Sequence, residues 1–207
     1  MKTRMIINAI VIVGVIYLSF VMALAGWISA LRKGQAITLL PERGSKSSTF
    51  WLQLGMVGVS LLVCALLIYF LWIPLPIRFS SVTQSVVVAL GLILFVAGTL
   101  FIVWARRTLG SMWGISTSRE VKLFPDHKLV QVGPYKLVRH PMYFGWWVAL
   151  FGMILIYRTW ILVLLLVFSV AVFYKRALRE EAALAARFGN EWQSYVARSK
   201  FLIPFIY

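Results

Sequence analysis

The run His127–Tyr143, HKLVQVGPYKLVRHPMY, holds both histidines of the chain and ends where an apolar stretch begins. Proline is favoured at the first position of a helix, because its missing N–H would have no partner there. The Arg139-His140-Pro141 sequence therefore predicts a helix starting near Pro141, with Arg139 and His140 at its mouth. Free backbone N–H groups and the positive dipole end suit a carboxylate or phosphate at that point. Upstream, Gly133-Pro134 marks a turn that sets the Tyr135 ring.

Outward from this run the chain is apolar. Of 207 residues, 61% are hydrophobic and only 13% are charged, against about 25% charged in ordinary globular chains. The chain therefore reads as an integral membrane protein. Five apolar stretches stand out: 5–31, 50–72, 82–104, 143–157 and 160–174. A spanning helix needs about 20 apolar residues. The first three satisfy this. The last two are short and separated only by Arg158 and Thr159, which predicts a tight helical hairpin whose ends run into polar flanks. Lys2, Arg4 and the small residues Ala23 and Ala25 resemble a signal peptide. The apolar run is too long for one, so an uncleaved first helix is expected.

The formal charge of +15 could suggest nucleic acid, but the basic residues lie in loops between apolar segments. There they fix topology and meet anionic headgroups. With five spans, the loop 32–49, the loop 105–142 and the tail from Lys175 carry 17 basic residues. The N-terminus, the loop 73–81 and the turn at Arg158 carry 4. The positive-inside bias then places the N-terminus outside and the C-terminus in the cytoplasm. All six acids fall on the cytoplasmic side, so the loop 105–142 and the tail should form one cytoplasmic cap. The expected fold is all-α and polytopic: three N-terminal transmembrane helices in 1–104, then a polar loop, a helical hairpin and a cap in 105–207.

Several chemistries are excluded. Cys64 is single and lies in an apolar run, and two histidines flanking a basic loop make a poor metal site. No metal and no nucleic-acid partner are expected. No Gly-x-Gly-x-x-Gly follows a strand pattern, and no serine sits in a nucleophile elbow. The apolar stretches contain no acid or base, which argues against transport.

The tail adds a second constellation. The fifth apolar helix should continue through Arg176-Ala-Leu-Arg-Glu180-Glu181. Arg176 and Glu180 lie four apart and so share a face, as an exposed ion pair or as a guanidinium and carboxylate presented together at the membrane boundary. Gly189 is a plausible helix stop, and Trp192 and Tyr195 could form one aromatic patch on the cap.

Taken together, His127-x-Leu-Val, Gly133-x-Tyr135, Arg139-His140-Pro141-x-Tyr143, Glu180-Glu181, Leu184, Phe188-Gly189 and Trp192-x-x-Tyr195 resemble the isoprenylcysteine carboxyl methyltransferase family. Leu109-Gly110-Ser-Met-Trp113 looks like a further family element. Phospholipid N-methyltransferases and small-thiol methyltransferases are similar in this region. The resemblance covers about residues 105–205. It implies an S-adenosylmethionine-dependent methyltransferase whose catalytic region is 105–207, acting on a lipidic or small hydrophobic acceptor. By match, His127, Lys128, Leu129 and Val130 would line the cofactor, with Tyr135, Arg139, His140 and Glu180 completing its site. Arg176 matches the position that binds the acceptor's carboxylate, and it favours a carboxylate over an amine or thiol. Glu120 departs from the pattern, because the prenylcysteine enzymes have glutamine there, and this hints at a different acceptor. Membrane sterol reductases using NADPH carry a similar Arg-His-Pro-x-Tyr element. The Gly133-Pro-Tyr135 turn and the Arg176/Glu180 pair favour the methyltransferase.

Overall fold

The computed structural model of the chain describes residues 2–19, 59, 66, 69–70, 72–112, 123 and 127–203. Among these are five α-helices: α1 (Lys2–Ser19), α2 (Ser81–Leu109), α3 (Pro141–Tyr157), α4 (Trp160–Phe188) and α5 (Asn190–Arg198). Two 3-10 turns, Gly110–Met112 and Gly133–Lys136, join them. The described residues contain no β-strand beyond two isolated bridges, so the all-α expectation holds. The apolar segment 50–72, the loop 32–49, residues 113–122 and 124–126 of the loop 105–142 and the second half of segment 5–31 fall largely or wholly outside the described residues.

Two helices, α2 and α4, are long and apolar enough to cross a membrane, and α1 and α3 contain shorter apolar helices. At 1.5 Å per residue, the 29 residues of α2 rise about 44 Å, more than a hydrocarbon core of about 30 Å. Ser80 caps its start, accepting the Thr83 N–H at 3.2 Å.

The main packing is α2 against α3, and small residues make it possible. Gly91 and Gly98 on α2 face Gly152 and Gly145 on α3, an antiparallel pairing with seven-residue spacing on both helices. A Cβ at Gly98 would lie 2.5 Å from the Ala149 N and 2.6 Å from the Gly145 O. A Cβ at Gly152 would lie 2.5 Å from the Gly91 O. Helices in lipid gain no hydrophobic drive from mutual contact, so they associate through this kind of close backbone approach. Phe95 sits between the glycines of α2, buried to 2% exposure, and Gly14 of α1 closes over its ring.

The expected hairpin is present. Arg158 adopts the left-handed conformation (φ 50°) and its N–H caps Ile154 at 2.8 Å. The loop ahead of α2 docks on this turn: Leu75 N donates to the Arg158 O at 2.7 Å, and Trp160 N donates to the Ile73 O at 2.9 Å. The Tyr157 hydroxyl donates to Asn8 of α1 at 3.1 Å. The early part of α1, the loop 73–80 and the α3–α4 turn therefore gather at one end of the bundle. The run from His127, the polar extension of α4 and the tail gather at the other. The charge count groups these described segments in the same way, while the loop 32–49 that it also uses lies outside the described residues.

Candidate active site

Helix α3 begins at Pro141, as its sequence requires, with His140 as the residue before it. Helix α4 runs unbroken from its apolar part, which ends at Tyr174, through a polar extension to Phe188. Gly189 (φ 49°) stops it and turns the chain into α5. These two features bring the two halves of the site together at the polar end of the bundle.

Glu180 and Glu181 are neighbours on α4 and so point about 100° apart. Between them they hold both basic residues that precede α3. Glu181 accepts Arg139 Nε at 2.6 Å and faces His140 Nε2 at 3.2 Å. Glu180 Oε2 faces His140 Nδ1 at 3.6 Å. Glu180 Oε1 accepts the Tyr143 hydroxyl at 2.8 Å and Arg176 Nε at 2.9 Å. The Arg176–Glu180 pair is thus not a free surface pair; it is one edge of a six-residue network.

Burial by itself would lower the pKa of His140, but the hydrogen bonds and charges of Glu180 and Glu181 outweigh it, and the net shift is upward. Burial alone would raise both carboxyls. Hydrogen bonds from His140 and the neighbouring arginines reverse that, and both lie below the usual carboxylate range. The network is therefore a set of cations and anions held ionised in a half-buried setting. With His140 protonated, three cations face two anions.

Aromatic rings continue the site toward the apolar part. His140 stacks on Tyr143 (5.5 Å between centroids), and Tyr143 stacks on Phe173 (4.7 Å). Phe173 in turn lies parallel to Trp147 at 6.4 Å. A polar cluster at the helix ends is thereby joined to an aromatic column leading between α3 and α4.

The tail straps the run in place. Lys200 N donates to the Leu137 O at 3.0 Å, and Arg139 N donates to the Lys200 O at 2.8 Å. Arg139 Nη1 donates to the Ser199 O at 2.8 Å, and the Tyr195 hydroxyl donates to the Tyr135 O at 2.7 Å. Trp192 and Tyr195 form the expected aromatic pair at 5.7 Å. Gln131 links the run to α5, donating to Glu191 at 3.0 Å and accepting from Arg198.

Of the residues singled out from sequence, Arg139, His140, Arg176 and Glu180 fall in one network. Tyr135 is 6% exposed, its hydroxyl is buried without a hydrogen-bond partner, and burial pushes its phenol pKa up. His127, Lys128, Leu129 and Val130 form no regular secondary structure. The His127 ring packs near Phe188 (6.3 Å), and Lys128 N contacts Met112 Sδ at 3.2 Å. Phe188 is eight residues beyond Glu180, about 12 Å along the helix, so this segment borders a different level of the site. Glu120 lies outside the described residues. Arg139 and His140 do not stand open at the helix mouth as the anion-site reading expects, because the glutamates of α4 already engage them. Sequence reasoning missed Glu181 and Tyr143 as site members. The signal was there: Glu181 adjoins Glu180, and Tyr143 stands three residues after His140, one helical turn on.

A solved structure of the eukaryotic intramembrane Ras methyltransferase ICMT (isoprenylcysteine carboxyl methyltransferase), determined without a monobody, shares the fold. Its TM-score is 0.54 and its sequence identity 24%, over 90% of this chain and 64% of that chain. The chain thus spans just under two thirds of the length of the protein it resembles. No curated protein matches it. The isoprenylcysteine carboxyl methyltransferase (ICMT) family matches residues 89–186, the segment holding most of α2, all of α3 and α4 through the Glu180-Glu181 pair. The resemblance to the isoprenylcysteine carboxyl methyltransferase family is therefore carried by that segment, and the solved structure shows the shared fold.

Proposed function

We propose that this protein is an integral membrane methyltransferase that uses S-adenosylmethionine to methylate a lipidic carboxylate at the cytoplasmic face of a membrane. The observation that carries the reading is the junction of Arg139-His140 and Arg176 through Glu180 and Glu181, at the polar end of a membrane-length helix. It lies within the family-matched segment.

The residues present fit the cofactor. Tyr135 offers a buried hydroxyl with no partner, and leaving such a group unsatisfied costs about 1–3 kcal/mol. The network supplies anions for an ammonium or sulfonium and cations for a carboxylate, which is what a zwitterion with a positive centre requires. His127–Val130, Tyr135, Arg139, His140 and Glu180 would hold it. When bound, S-adenosylmethionine supplies a methyl group on a positively charged sulfur.

The work left to the protein is positioning and electrostatics, since an in-line displacement needs no strong acid. A carboxylate acceptor is already ionised near neutral pH, so Arg176 only has to orient it. Tyr143 holds Glu180 in place by donating its hydroxyl hydrogen to the carboxylate, and the His140 ring faces the other carboxylate oxygen. The aromatic column from Tyr143 to Trp147 gives an apolar acceptor a wall to follow from the membrane. An amine acceptor would instead have to give up a proton, and Glu180, held below the usual carboxylate range by its partners, is a weak base for it.

The test is incubation of purified protein with radiolabelled S-adenosylmethionine and a native lipid extract, followed by identification of the labelled product. A base-labile methyl ester supports the carboxylate; a stable N-methyl product moves the acceptor to an amine. Calorimetric titration with both cofactors is the control. Binding of NADPH without binding of S-adenosylmethionine would overturn the methyltransferase.

A further inference from the structure

On α4, Tyr174, Leu178 and Glu181 recur at i, i+4 and i+7 and so share a face, different from that of Arg176 and Glu180. That face borders a cleft of about 380 Å³, completed by Arg139, Val196, Ser199, Lys200 and Phe201. Arg139 and Glu181 form the wall between this cleft and the Arg176–Glu180 side.

Three features mark what the cleft takes. First is its level: Tyr174 ends the apolar part of α4, so the cleft opens where hydrocarbon gives way to headgroups. Second is its apolar lining. Tyr174 is 50% exposed and Leu178 46%, although α4 has already turned polar, so an apolar surface is left uncovered beside a charged one. Third is its charge. Glu181 is neutralised by Arg139 and His140, while Lys200 is exposed and has no carboxylate within ion-pair distance among the described residues. The cleft is therefore net positive and half apolar.

We propose that this cleft is a binding site for an anionic phospholipid, with the headgroup phosphate at Lys200 and the start of the acyl chains along Leu178, Tyr174 and Phe201. A zwitterionic choline headgroup would bring a fixed cation toward Arg139 and Lys200, so the site discriminates by headgroup charge. The proposal rests on α4 crossing the membrane and does not depend on methyl transfer.

The test is native mass spectrometry of the full chain, released from detergent containing equal amounts of phosphatidylglycerol and phosphatidylcholine. Phosphatidylglycerol adducts should dominate by about tenfold. A basic residue at a membrane surface is worth about 1 kcal/mol, or about fivefold. Lys200→Gln should therefore cut the preference about fivefold, and Lys200→Glu should abolish it. Leu178→Trp, which fills the cleft and keeps the charge, should lower adducts of both lipids. Unchanged thermal unfolding and S-adenosylmethionine binding in the Lys200 variants separate loss of the site from loss of the fold. Equal binding of the two lipids by the parent protein, or an undiminished preference in folded Lys200→Glu, would overturn the proposal.

Discussion

His140 Nε2 lies 3.2 Å from Glu181 Oε1, although 41 residues separate the two in the chain. The contact fixes where the start of α3 stands against α4. Because Arg139 Nε reaches the same oxygen at 2.6 Å, one carboxylate holds two consecutive basic residues. Glu181→Gln should lower stability by about 2 kcal/mol, since it leaves a part-buried arginine without its counter-ion. It should also weaken S-adenosylmethionine binding. Chemical denaturation in mixed micelles and calorimetric titration would read the two effects. A variant as stable as the parent would show the contact to be dispensable.

The titration of this cluster has a defined sign. His140 is raised above 6.5 in the fold, so its contribution to stability is complete below pH 6.5 and is lost as pH rises through the raised value. Glu180 and Glu181 are lowered below 4.5. Their contribution is complete above pH 4.5 and is lost as pH falls through the lowered values. The cluster is therefore most stabilising between about pH 4.5 and 6.5. Thermal unfolding of the parent and of His140→Gln should differ most in that window and converge as pH rises above it. A gap that is constant through alkaline pH would contradict the assigned charge state.

Arg176 and Glu180 should separate kinetically. Glu180→Ala is expected to reduce methyl transfer by about 10²-fold in a protein that still folds in detergent. Arg176→Ala should raise the acceptor's KM more than it weakens the cofactor. If both variants lose cofactor binding equally, the division of roles between them is wrong.

Tyr143→Phe removes the hydroxyl that Glu180 accepts at 2.8 Å and keeps the ring stack on Phe173. A lost hydrogen bond of this kind is worth about 1 kcal/mol, and about twice that to a charged acceptor. Turnover should fall by about tenfold while the unfolding temperature falls by only a few degrees, in line with one lost hydrogen bond. A large loss of stability with normal turnover would make Tyr143 a packing residue only.

The glycine seam predicts strong sensitivity to a single methyl. Gly98→Ala puts a Cβ 2.5 Å from the backbone of Ala149, where no side chain can move aside. Separation of α2 from α3 should cost about 2 kcal/mol or more, seen as a fall in unfolding temperature. Gly110→Ala meets no atom within 4 Å and tests only the backbone strain at φ 54°.

The apolar stretches 82–104, 143–157 and 160–174, the helix start at Pro141, the two-residue hairpin at Arg158-Thr159, the run of α4 through Glu181 and its stop at Gly189 were legible without coordinates. Each depends on local chemistry: hydropathy, proline's missing N–H, or the freedom of glycine. The division of polar segments between two ends was legible for a related reason, since charge cannot remain in hydrocarbon. What only the tertiary structure decided is which charged groups meet. Arg139 and His140 read as an open anion site because nothing local says that α4 will bring Glu180 and Glu181 over them. The approach of α2 to α3 likewise depends on glycines about fifty residues apart. Pairing across such distances is set by how helices pack, and helical periodicity describes each helix alone.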